Sequence, residues 1–211
     1  MTGRRLTLLA LALVVGLMGG FGTSWALGAG PLGSGAAAPV ADASPTLPVD
    51  PVPDLLPDPD YPPLAPDVRL VDTTVGEGDF RMTVPAPDGW NLSPNSLNEW
   101  QWRPPDQPAS FGYLMRVEQV LSNRRSIDWT LDRRIAELEE DEQGVEILDR
   151  TEDGIHFTFI LSNHLRHGYL TWIDVTGTDN AQVEIAVSGR AVDQPGLAAL
   201  AERVAAGVRL G

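Results

Sequence analysis

The chain has 211 residues, 29 acidic and 15 basic, for a formal charge of −14, and it contains no cysteine. The missing cysteine excludes disulfides, thiolate zinc sites, iron–sulfur clusters, cysteine nucleophiles and an acylated lipobox, and the acid excess argues against general nucleic-acid binding. All the basic residues are arginine, and the 21 glycines and 18 prolines exceed what one packed domain needs, so part of the chain is expected outside the core.

In chain order, residues 1–30 come first. Arg4 and Arg5 run into an apolar stretch over residues 8–22 that extends to Leu27. Positive charge ahead of an apolar run predicts export, either as a cleaved signal peptide or as a single-pass membrane anchor with the rest of the chain outside the cytoplasm. Residues 31–67 hold eleven prolines, and six aspartates fall between Asp42 and Asp67 without a base. Proline breaks helix and ladder alike, so a disordered linker is predicted. At roughly 3 Å per residue it reaches about 100 Å when extended.

From residue 68 onward an α+β domain is expected. Phe80, Met82 and Val84 alternate onto one face of a strand, and residues 85–90 read as a turn. Strands follow at 98–103 and 111–121. Ser126 is placed to cap a helix over 126–142, with Ile127, Leu131, Ile135 and Leu138 on one side. Four strands come next, over 145–150, 155–161, 169–175 and 181–187, and short breaks between them imply hairpins. Asp193 and Pro195 open a second helix whose stripe is Leu197, Leu200, Ala201, Val204 and Val208. The sum is an antiparallel sheet of six or seven strands covered by two helices.

The opening Phe80-Arg-Met-Thr-Val-Pro85 followed by Gly89-Trp90 resembles that of PsbP-like domains, in particular the LpqN-like exported proteins of actinobacteria. The resemblance covers about residues 68–211. It implies an α/β/α sandwich, an export signal with a proline-rich spacer, and a binding or assembly role with no catalytic motif. The lipoprotein members carry a lipobox cysteine that this chain lacks, so attachment here falls to the N-terminal helix.

Three groups of side chains are candidates for chemistry. Trp100 and Trp102 share a strand face and, with Trp90, offer the floor of a pocket for an apolar ligand, or else core packing. Glu139, Glu140, Asp141 and Glu142 form an acidic helix end that opposes the helix dipole and suits a basic partner, or simply solvent. His164 and His167, read as part of an exposed loop, are a weak metal pair. No phosphate loop, dinucleotide fingerprint or nucleophile elbow is present, so no cofactor is expected. The expected role is a non-enzymatic extracytoplasmic domain, membrane-anchored or secreted, that binds an envelope protein or an apolar small molecule. An envelope enzyme using His164 and His167, and an assembly subunit of a membrane complex, are the alternatives.

Overall fold

The computed structural model describes residues 54–107, 112–121 and 124–211. The chain divides into two units, Met1–Val49 and Asp50–Gly211, and all described residues belong to the second. The predicted anchor at residues 1–30 lies outside the described residues, as does the linker up to residue 53. No helix among the described residues is long and apolar enough to cross a membrane.

The elements run β1 (Leu70–Val75), β2 (Met82–Pro87), β3 (Asn91–Pro94), β4 (Glu99–Arg103), β5 (Leu114–Gln119), α1 (Ile127–Asp141), β6 (Gln143–Arg150), β7 (Gly154–Leu161), β8 (His164–Ile173), β9 (Val183–Gly189), α2 (Gln194–Ala205) and β10 (Arg209–Leu210). Seven strands form an antiparallel sheet in the order β3-β4-β5-β9-β8-β7-β6, and β1-β2-β10 form a second, smaller one. The α+β class read from the sequence therefore stands. The large sheet is built by hairpins from β6 through β9. β9 then pairs with β5, and α1 carries the chain from β5 to the far edge at β6.

Each face of the large sheet packs its own core. Met115, Val117, Val183, Ile185 and Val187 meet Leu197, Leu200 and Val204 of α2 and Met82 and Val84 of β2. Leu131 and Leu138 of α1 meet Phe157, Leu170 and Trp172. Tyr169 and Ile173 join the first core while Leu170 and Trp172 join the second. Alternation along one strand thus sets the two helices on opposite faces. Ser126 caps α1 as expected, its hydroxyl accepting from the Trp129 amide at 3.3 Å.

The structure corrects several local expectations. Phe80 sits in a short 3-10 turn ahead of β2 and is exposed, so Met82, Val84 and Ala86 form the inward face instead. The strand continues through Pro85 and Pro87, within the span 85–90 where the spacing predicts a turn. Only Thr83 and Met82 pair with β10, so beyond them one flank of β2 has no partner among the described residues, and residues without an N–H are tolerated there. β1 and β3 carry no apolar alternation in the sequence, because only Val75 of the first is fully buried and β3 is exposed throughout. Asp193 precedes α2 but makes no capping bond. Its carboxylate accepts from the Arg190 amide and guanidinium and from the Leu64 amide.

That last contact bears on the predicted linker. Residues 54–67 lie against the domain as a strap. The Arg190 guanidinium donates to the carbonyls of Pro59, Tyr61 and Pro62, Arg166 pairs with Asp58 at 2.6 Å, and Leu64 is buried in the main core. Proline bars a ladder, yet it leaves carbonyls exposed for a buried arginine to collect.

Candidate functional site

α2 turns two kinds of residue toward the sheet. Leu197, Leu200 and Val204 fill the core, whereas Ala198, Ala201 and Ala205 have only a methyl to offer. The shortfall leaves a groove of about 630 Å³ between α2 and the end of β7 and β8, floored by His156, Tyr169 and Thr171. Asp149, Asp153, Asp174 and Glu202 also line it, and among the described residues no arginine does.

Strand register places the polar floor. His156 of β7 lies opposite Tyr169 of β8, and their rings stack with centroids 4.1 Å apart and planes 5° from parallel. His167, two residues before Tyr169 on the same face, brings its Nδ1 to 3.0 Å from His156 Nε2. One of these nitrogens carries the shared proton and the other accepts it. Burial lowers both imidazoles from their ordinary value of 6.5; the neighbouring His167 lowers His156 further, and Asp149 opposes this. Burial also raises the Tyr169 phenol, against a hydrogen bond with Gln194. At neutral pH the floor is therefore uncharged, and the charge of the groove comes from its carboxylates. Asp174 is held in its ionised form. Desolvation raises it, but bonds from the amides of Thr176, Asp179 and Gly177 outweigh that and hold it below the usual carboxylate range.

The residues singled out from the sequence fall elsewhere. Trp100 and Trp102 share a face of β4 as expected, but both are buried in the main core against β5, and Trp102 is only 2% exposed. Trp90 is partly buried, its ring 5.5 Å from that of Tyr113. None of the three lines the groove. Glu139, Glu140, Asp141 and Glu142 are exposed at the end of α1 and its cap.

His164 and His167 are not in an exposed loop. The turn is only Ser162-Asn163, with φ of 51° and 65°, and β8 begins at His164. Positive φ at both central residues is the signature of a tight type I′ hairpin, formed here without the glycine that usually announces it. Both histidines are buried, and three residues apart on a strand they point to opposite faces, so they cannot share a metal. Among the described residues no cluster of three or more metal-ligating side chains exists. The pairing that the sequence hid is His156 with His167, eleven positions apart and joined by the β7–β8 register.

No family model matches the chain, and no curated protein does. Among solved structures it is similar to the Ran-binding protein Mog1p of Saccharomyces cerevisiae, at 9% identity and a TM-score of 0.47 over 67% of this chain and 96% of that one. It is also similar to LpqN, a Mycobacterium tuberculosis protein involved in cell envelope biogenesis, at 14% identity and a TM-score of 0.40 over 68% of this chain and 92% of that one.

Proposed function

We propose that the domain is a non-enzymatic, extracytoplasmic binding module, and that the groove beside α2 takes a small, largely apolar ligand bearing a cationic group. The observation that carries this reading is the composition of the groove: apolar walls from alanine and isoleucine and, among the described residues, four carboxylates and no arginine. The arginine-led apolar stretch at residues 4–27 supports export and attachment to the membrane.

Magnitudes divide the labour. Each methylene buried contributes ~0.8 kcal/mol, so a ligand with half a dozen of them gains about 5 kcal/mol from the walls. A solvent-exposed ion pair contributes ~0.2–1 kcal/mol. Affinity then comes from the walls, and the carboxylates select the sign of the charge.

Calorimetric titration of the full-length chain with decyltrimethylammonium and decyl sulfate, both below micelle formation, tests this. The cation is expected to bind about tenfold or more tightly than the anion, equivalent to ~1.4 kcal/mol from two or three rim carboxylates. Ala205→Trp, which fills the groove from the α2 side, is expected to abolish binding. Equal affinity for the two probes, or an indifferent Ala205→Trp variant, rejects the reading.

A further inference from the structure

The groove has a titratable floor, and the geometry of that floor limits how it takes up charge. His156 of β7 is half-buried and stacked on Tyr169, and its Nε2 lies 3.0 Å from Nδ1 of the buried His167. Asp149 of β6 stands opposite His156 in the ladder, and Glu202 lines the groove from α2. Asp153 and Asp174 line it just outside the ends of β7 and β8. The Tyr169 phenol, raised by burial, stays protonated.

The bond between the two imidazoles sets how many protons they accept. With both rings neutral, one nitrogen donates and the other accepts. One added proton goes to the outer nitrogen of the donating ring and leaves the bond in place, now charge-assisted. A second would set N–H against N–H across 3.0 Å, so the pair takes one proton before the contact breaks. Imidazole is the side chain whose charge ordinarily changes between roughly pH 5 and 8. Burial of both rings places that change below 6.5; the charge of His167 lowers His156 further, and Asp149 opposes it.

We infer that this pair is a proton switch on the groove: a proton on His156–His167 and a cationic head group on the ligand exclude each other. The inference rests on the reading of the groove given above and adds its regulation. The ligand is held at neutral pH and released as the medium acidifies. The coupling is reciprocal, so a bound cation drives the pair to its neutral form. One positive charge on the floor subtracts from the attraction of the carboxylates and leaves the apolar walls as they are. An anionic ligand responds in the opposite sense.

Decyltrimethylammonium and decyl sulfate, both below micelle formation, are titrated calorimetrically into the full-length chain from pH 7.5 to 5.5. Near-UV circular dichroism checks the fold at each step. The cation is expected to lose about tenfold in affinity over this range and the anion to gain. His156→Gln takes the titrating ring off the groove floor and is expected to flatten the profile of the cation. His167→Gln removes the charge that opposes protonation of His156 and is expected to move the midpoint to higher pH, a shift that a merely structural partner would not produce. Imidazole proton resonances of the unaltered chain give a readout that needs no variant: added cation is expected to lower the midpoint of the pair. No cation binding at pH 7.5 rejects the groove reading and this inference with it. Binding at pH 7.5 that does not weaken on acidification, or that weakens equally in His156→Gln, overturns the inference and leaves the groove standing.

Discussion

His156 and His167, joined by one hydrogen bond beside the groove, tie that bond to the acidity of the medium. His156 and His167 are both held below 6.5, chiefly by burial, so the folded protein binds fewer protons than the unfolded chain once the pH drops through that value. By linkage, stability then falls as the pH falls, beginning near 6.5 and ending below the depressed native values. The midpoint of urea denaturation is expected to be lower at pH 5 than at pH 7.5. His167→Gln, which removes one titrating ring, is expected to shrink the difference, and an equal loss in the variant would show that other groups carry it. At this scale the sequence was legible where a residue acts on its near neighbours, as Ser126 does on Trp129. It was opaque where strand register decides, as for His156 and His167. Gly168 belongs to the second kind. It lies opposite Phe157, and a Cβ there would come within 2.5 Å of the ring. Only the paired strand explains why glycine stands in an apolar run.

Secondary elements with a strong period were readable, and those without one were not. α1 spans Ile127–Asp141 against an expected 126–142, because its cap and its apolar stripe are both local signals. Its stability is correspondingly local. Ser126→Ala removes the acceptor for the Trp129 amide and is expected to cost about 1 kcal/mol, measured by chemical denaturation. A loss below a few tenths would mean that solvent replaces the cap. The far end of α1 has no base in its last turn while Glu139, Glu140, Asp141 and Glu142 crowd it. These acids face the negative pole of the helix, a local conflict left unrelieved within α1. β3 and β10 gave no such signal. One is exposed throughout and the other is two residues long, so pairing alone makes them strands.

Across the whole domain the decisive contact joins residues more than a hundred positions apart. Arg190, 2% exposed, is bound to the wholly buried Asp193 and to three carbonyls of the strap. Removing the strap takes those carbonyls and Leu64 away and leaves a buried guanidinium short of acceptors. A chain beginning at residue 68 is therefore expected to melt several degrees below one beginning at residue 54, by differential scanning calorimetry. Equal melting temperatures would show the strap to be only laid on the surface. Arg190→Met in the longer chain leaves Asp193 buried without its partner and is expected to lose about 3–5 kcal/mol in urea denaturation. The acidic balance, the absence of thiol chemistry, the α+β class and both helices were determined by the sequence itself, because composition and short-range periodicity suffice for them. The extent of the domain, the groove beside α2 and the histidine pair were decided by tertiary structure alone. Each depends on which strands lie side by side and on which carbonyls a buried arginine can reach, and neither is written in the spacing of neighbouring residues.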